Sequence, residues 1–197
     1  MDSLLNEAYT HHAQSDETIW YVFKNGDKQA YATLYQRYFK MLIEYGLRIV
    51  EDRELVKDCI QDLFIELWKS KESLSEPKSV KAYLLSSIQR KLIRQLGRIR
   101  SKENKISLMI SPAIVFCRED QIIEDQACLE QCHTINKALS SLTKRQNQAI
   151  YLKFYTNLSY KEISAIMSIS VDSTYNLISK AIDILQVELS KVSVAKL

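Results

Sequence analysis

The chain has 197 residues, of which 26% are charged, with a formal net charge of +3 and only three glycines and two prolines. So few breakers among many Leu, Ile, Lys, Glu and Gln residues exclude a turn-rich β architecture and predict an all-α fold, long enough for one domain or two small ones. No apolar run reaches the roughly 20 residues of a membrane span, and Met1-Asp2-Ser3-Leu4-Leu5 lacks the basic and apolar regions of a signal peptide, so a cytoplasmic protein without membrane insertion is expected.

Residues 1–20 are polar with few periodic positions and read as a loose leader or short helix. Asn25-Gly26-Asp27 is a turn. A helix then runs to about Val50, with Tyr31, Leu34, Tyr35, Tyr38, Leu42 and Tyr45 as an apolar and aromatic stripe. A second helix is predicted from Arg53 to Lys69, and the segment Ser70 to Ser79, which contains Pro77, should be a loop. A third runs from Val80 to about Arg100, completing a helical bundle over residues 21–102. Pro112 and an acidic patch (Glu119, Asp120, Glu124, Asp125) mark residues 103–126 as a linker. Helical patterning resumes at Ala127 and continues to about Ser190, leaving residues 191–197 as a tail.

Within this second domain, Thr143 and Gln146 form a capping box that opens a helix to about Tyr155. Ser159 and Glu162 form another, and Ser170 caps the helix that follows after a three-residue turn. At about 100° per residue, Val171, Thr174, Ile178, Ala181, Ile182 and Leu185 share one face. Asp172, Ser173, Asn176, Ser179 and Lys180 lie opposite. A short helix with a sealed back and a polar front suits a major-groove reader, and the segment reads as a helix-turn-helix or, on its own, as an ordinary helical hairpin.

The third helix of the first bundle separates by chemistry. Leu85, Ile88, Leu92, Leu96 and Ile99 form its core stripe, while Tyr83, Ser87, Arg90, Arg94 and Arg98 fall on the other side. Lys78, Lys81, Lys91, Arg100, Lys102 and Lys105 lie close in sequence, so residues 78–105 carry nine bases against one acid, Glu103. The rest of the chain is therefore net negative. A row of arginines beside an aromatic side chain favours nucleic acid over a merely solvated face. On the second helix, Val56, Cys59, Ile60, Leu63 and Leu67 form the core stripe, yet Ile65 and Trp68 project toward Glu54, Asp58 and Gln61. Two readings stand there: a protein contact, or Trp68 folded back over the bundle end.

The four cysteines are expected to be thiols. Cys128, Cys132 and His133 lack the second pair that zinc spacing requires, so buried thiols are preferred and no metal or cofactor is expected. The sequence contains no Gly-rich phosphate loop, zinc-helix motif or nucleophile elbow, which argues against an enzyme.

Taken in order, these motifs resemble the bacterial RNA polymerase sigma factors of the small, extracytoplasmic-function type. Asp58-Cys59-Ile60-Gln61-Asp62-Leu63-Phe64-Ile65-Glu66-Leu67-Trp68 resembles the family's region 2.2, which docks on the clamp helices of the polymerase β′ subunit. The resemblance implies core-polymerase contacts from Asp58, Gln61, Asp62, Phe64, Ile65 and Trp68. Tyr83-Leu84 with Ile88-Gln89-Arg90-Lys91-Leu92 resembles regions 2.3 and 2.4, which recognise and melt the promoter −10 element. This implies DNA contacts from Lys78, Lys81, Tyr83, Ser87, Arg90, Lys91, Arg94 and Arg98. Leu142 to Leu185 resembles region 4, whose helix-turn-helix reads the −35 element and whose body meets the β flap. This implies DNA contacts from Ser170, Asp172, Ser173, Thr174, Tyr175, Asn176, Ser179 and Lys180. An anti-sigma factor is a further partner common in the family.

The chain departs from the family at four places. Lys91 stands where Asn is usual, Gln95 where an acid is usual, and Ser168 where the turn usually has Gly. Tyr175 stands where a basic residue is frequent, leaving Lys180 as the base of the recognition helix. The resemblance predicts a non-catalytic initiation factor, and the alternative is a stand-alone helix-turn-helix regulator.

Overall fold

The computed structural model describes residues 15–102 and 135–194. The linker, Cys117, Cys128, Cys132 and His133 lie outside the described residues. The chain divides into two compact units, residues 1–106 and 107–197. Every regular element among the described residues is helical, as composition predicts.

The N-terminal unit begins with α1 (Asp16–Lys24), capped by Ser15, whose hydroxyl accepts a hydrogen bond from the Thr18 amide at 3.3 Å. Of the two readings of residues 1–20, a loose leader or a short helix, the described residues 16–20 are helical. Ile19, Trp20 and Phe23 on α1 are fully buried, and burial of such a side chain contributes about 1.5–3 kcal/mol. Asp16 fixes the helix to its neighbour, pairing with Arg37 at 2.7 Å and accepting a hydrogen bond from the Tyr38 hydroxyl. Burial, with the Asp16 carboxylate second, pushes the Tyr38 phenol well above its ordinary range.

Gly26, at φ 92°, turns the chain into α2 (Lys28–Leu47), and the Asp27 side chain caps it. Asp52 likewise caps α3 (Arg53–Ser70), which ends in a single 3₁₀ turn at Lys71–Ser73. Ser79 receives the Ala82 amide at 3.1 Å and opens α4 (Val80–Lys102). Helices α1, α3 and α4 all pack on α2, and α3 also packs on α4. Leu84, Leu85, Ile88 and Leu92 of α4 are fully buried, whereas Leu96 and Ile99 are half-buried because the helix runs on beyond its neighbours. Gln89 also lies inside and accepts a hydrogen bond from the buried Tyr45 hydroxyl.

Gly46 lets α2 and α3 approach closely. A Cβ there would lie 2.5 Å from Val56 Cγ1, whereas one at Gly97 on α4 would meet nothing within 4 Å.

The C-terminal unit is described from the helical residues 135–140 (α5), in which Ala138 and Leu139 are buried. The Thr143–Gln146 capping box opens α6 (Lys144–Ile150). Instead of continuing as a regular helix to Tyr155, the chain widens into a π turn over Tyr151–Tyr155, closed by Thr156 N–H to the Tyr151 carbonyl at 3.1 Å. The extra residue places Tyr151 and Leu152 both inward and leaves Phe154 and Tyr155 exposed. The Ser159–Glu162 capping box starts α7 (Tyr160–Met167). Ser168 then adopts the left-handed conformation (φ 54°, ψ 48°), so serine itself makes the corner usually given to glycine. Ser170 caps α8 (Val171–Val194), which runs past Ser190 into the expected tail.

Gly46→Ala is expected to destabilise the N-terminal unit by about 1–2 kcal/mol through overpacking, and Gly97→Ala to stabilise it by about 0.5–1 kcal/mol. Urea unfolding followed by tryptophan fluorescence checks both, since Trp20 and Trp68 are the two tryptophans of the chain and lie in that unit. Equal midpoints for the two variants would contradict the close approach at Gly46.

Candidate nucleic-acid and protein interfaces

The buried stripe of α4 turns its other side to solvent. Arg90, Arg94 and Arg98 are exposed at consecutive turns, with Lys78 exposed just ahead of the helix. Residues 78–102 carry eight bases and no acid. Arg90 is oriented by its own helix, donating to the Ser86 carbonyl and the Ser87 hydroxyl, each at 3.3 Å. Tyr83 is half-buried, its ring edge-on to Trp20 at 5.3 Å. The Trp20 indole also donates to the Ser75 carbonyl at 3.3 Å, so α1 holds both the loop before α4 and the aromatic at its start. Lys81 is half-buried.

Lys91 behaves differently from the arginine row. Its ammonium lies 2.6 Å from Glu66 of α3, its side chain is 15% exposed, and the pair bridges the two helices. The bridge contributes about 0–1 kcal/mol, because Glu66 is largely solvated. Its larger effect is geometric: with Tyr83, Ser87, Arg90 and Arg94 on one wall and Leu63, Glu66 and Leu67 on the other, a cleft of about 240 Å³ opens between α3 and α4. One wall is cationic, and the other mixes Leu63 and Leu67 with the polar Glu66 and Ser70, so the arginine side is the one suited to a phosphate.

On α3, Asp58, Gln61, Asp62 and Ile65 recur at helical spacing and all are exposed. Ile65 is 47% exposed, a large apolar side chain among acids. The structure corrects the placing of Phe64 with these contact residues: it is 2% exposed, packed edge-on against Tyr31 and Tyr35. Trp68 is half-buried in the same aromatic cluster, 5.1 Å from Tyr31 and 6.4 Å from Phe23, with the Lys71 ammonium 4.9 Å above its ring. Of the two readings open for Trp68, the structure shows it folded over the bundle end. Cys59 is buried on the opposite side, and burial pushes its thiol up from the ordinary value.

In the C-terminal unit, α8 is sealed by Thr174, Ile178 and Ala181. Thr174 is 0% exposed, and its hydroxyl donates to the Ser170 carbonyl at 3.0 Å, so its expected place among the outward DNA contacts is corrected. Asp172, Ser173, Tyr175, Asn176, Ser179 and Lys180 all face solvent. Ser170 is exposed but occupied as the cap, accepting the Ser173 amide at 3.1 Å and donating to the Ser173 hydroxyl at 2.8 Å. Sequence reasoning missed Tyr160 and Lys153. The Tyr160 ring stacks on Tyr175 at 3.7 Å and 16°, and the Lys153 ammonium lies 4.6 Å from the Tyr160 ring centre.

Among the described residues no group of three or more His, Cys, Asp or Glu side chains is placed to hold a metal ion, and no helix is long and apolar enough to cross a membrane.

Two family models match the chain: Sigma-70 region 2 over residues 34–102 and Sigma-70, region 4 over residues 133–185. A similar curated relative is the extracytoplasmic-function RNA polymerase sigma factor SigK of Mycobacterium sp. (strain KMS), 27% identical over 146 residues that cover 72% of this chain and 74% of the relative. The SigK of Mycobacterium tuberculosis (strain H37Rv) is 24% identical over 141 residues, 70% of this chain and 74% of the relative. Among solved structures, CnrH in complex with the cytosolic domain of CnrY superposes with a TM-score of 0.57 at 19% identity, covering 92% of this chain and 99% of CnrH. The sigma factor RpoE of Bartonella quintana, solved with the anti-sigma factor NepR, gives 0.57 at 21% identity, covering 82% and 96%. These two likenesses are of fold. With the two models together matching more than half of its length in the expected order, the chain belongs to the bacterial RNA polymerase sigma factors of the extracytoplasmic-function type, a family of transcription initiation factors.

Proposed function

We propose that this protein binds core RNA polymerase, directs it to a subset of promoters and assists strand opening, without catalysis of its own. The observation that carries the reading is the acid-free basic face of α4, displayed by a bundle of the Sigma-70 region 2 family. In this reading Asp58, Gln61, Asp62 and Ile65 meet the β′ clamp helices, with Phe64 and Trp68 supporting them from beneath. Lys78, Lys81, Tyr83, Ser87, Arg90, Arg94 and Arg98 hold the −10 segment. Phosphates lie along the arginines, and an unstacked base gains back part of its few kcal/mol of unstacking in the cleft beside Tyr83. Lys91 acts through its bridge to Glu66, setting the spacing of the cleft walls. The exposed front of α8 reads the −35 element, and the body of its domain meets the β flap. An anti-sigma factor, the kind of partner with which RpoE was solved, completes the set of partners.

Gel filtration with purified core polymerase, followed by transcript mapping, tests the reading. Co-elution and promoter-specific transcripts are expected, whereas unaided duplex binding without co-elution would replace this reading with a stand-alone helix-turn-helix regulator. Ile65→Asp should weaken polymerase binding about tenfold, equivalent to about 1.4 kcal/mol, with unchanged helicity by circular dichroism. Unchanged affinity would remove Ile65 from the contact surface. Replacing Arg90 and Arg94 with Ala should slow promoter opening and flatten its salt dependence by roughly one unit of log–log slope for each phosphate left without its arginine. An unaltered slope would show that this face does not meet phosphates.

A further inference from the structure

The reading helix lacks the residues that usually recognise guanine. Bidentate contact to the guanine O6 and N7 atoms needs Arg or Lys, yet the first two turns of α8 present Val171, Asp172, Ser173, Tyr175 and Asn176. Lys180 stands nine residues into the helix, roughly 13 Å along its axis, where a phosphate is the nearer partner. In place of a base, the outermost position of the second turn holds an aromatic ring, with Tyr175 51% exposed.

That ring is held. Tyr160, at the first position of α7, covers one face at 3.7 Å with the planes 16° apart. Lys153 also bears on Tyr160, its ammonium over the ring at 4.6 Å from the centre and donating to the Leu158 carbonyl at 3.5 Å. A cation over a tyrosine face is attractive, so the three side chains form one column that runs from the π turn through α7 to the front of α8. Exposed tyrosines normally sample several rotamers. Here the column removes that freedom before any ligand arrives, and the ring keeps a free edge and a free face toward the groove.

We propose that Tyr175 recognises the C5-methyl group of a thymine in the major groove, that Asn176 beside it pairs with an adenine, and that Tyr160 with Lys153 is the device that positions Tyr175. The upstream specificity is therefore directed to A·T pairs. The chemistry follows from the code of the groove: apolar contact identifies the thymine methyl, and Asn pairs bidentately with adenine N6 and N7. Asp172, an acceptor without a donor, favours the amino groups of adenine or cytosine over the carbonyl edge of guanine. This inference rests on the reading in which α8 contacts the promoter upstream element.

The test uses the full chain bound to core polymerase and a duplex library randomised over the upstream and downstream elements. Wild-type holoenzyme is expected to enrich a T·A pair at one upstream position, and Tyr175→Ala to lose that enrichment while keeping the downstream selection. Replacing that thymine with deoxyuridine, which lacks only the methyl group, should weaken wild-type binding about fourfold, the equivalent of ~0.8 kcal/mol for one buried methyl, and leave the Tyr175→Ala holoenzyme unaffected. Tyr160→Leu should reduce the T·A preference without touching position 175, and Tyr160→Phe, which keeps the stack, should restore it. Enrichment of G·C at the Tyr175-dependent position, or deoxyuridine binding as well as thymine, would overturn the proposal while leaving α8 as a promoter reader. Absence of any upstream enrichment by the wild type, with downstream selection intact, would overturn the reading by α8 and this proposal with it.

Discussion

The N-terminal unit depends on the burial of one stripe. Leu84, Leu85, Ile88 and Leu92 are all removed from water against α2 and α3, and each contributes about 1.5–3 kcal/mol by that burial. Rotating α4 by a single residue would expose part of that stripe and bury an arginine. The register of the helix is therefore fixed by its apolar side, and the direction of Arg90, Arg94 and Arg98 follows from it. Gln89 adds a polar lock, since its partner Tyr45 is itself buried and a slipped helix would leave both unsatisfied. The cationic surface is thus a product of the core, with Arg90 further held by Ser86 and Ser87 of its own helix.

Aromatic side chains extend that order to the rim. Trp20, Phe23, Tyr31 and Trp68 are linked by ring contacts of 5.1–6.4 Å, joining α1, α2 and α3. Trp20 carries the chain of contacts onward to Tyr83 and to the Ser75 carbonyl. Helix α1 lies upstream of the segment matched by the region 2 model, yet its three buried side chains make it part of the same core. One outcome is a division of labour on α3: Trp68 stabilises the bundle end, and Ile65 is left as the large apolar side chain that still faces water.

The features legible in the sequence were those set by local rules. Both capping boxes are where three-residue spacing put them, because a cap involves only one turn of chain. Leu85, Ile88 and Leu92 of the α4 stripe followed from helical periodicity alone, whereas the buried Leu84 did not figure in it. What escaped depends on neighbours distant in sequence. Trp68 looks outward on a helical projection of α3, yet Phe23 of α1 and Tyr31 of α2 cover it, and no projection of α3 contains them; Phe64, placed outward by the resemblance alone, packs on Tyr31 and Tyr35. Thr174 is the converse case: periodicity put it on the sealed side, where its hydroxyl turns back to the Ser170 carbonyl, and the resemblance alone put it among the DNA contacts. Helix α1 has too few residues for a period to emerge, and its Ile19, Trp20 and Phe23 fall within a continuous apolar and aromatic run, residues 19–23, that marks no single face. Tyr160 and Tyr175 are fifteen residues apart on two helices, so only the corner between them brings the rings together.

That corner is the residue Ser168. A left-handed conformation costs a residue with a Cβ about 1–2 kcal/mol, a penalty that glycine would not carry. Glycine, however, has several backbone wells open to it, whereas serine has one narrow left-handed well. The helix-turn-helix therefore gives up some stability and gains a stiff elbow, one that resists the bending a glycine would permit. For a stacked pair bridging the two arms of that elbow, a few degrees of flexing would slide one ring off the other. The left-handed serine thus sets the bend between α7 and α8 at which the rings of Tyr160 and Tyr175 meet.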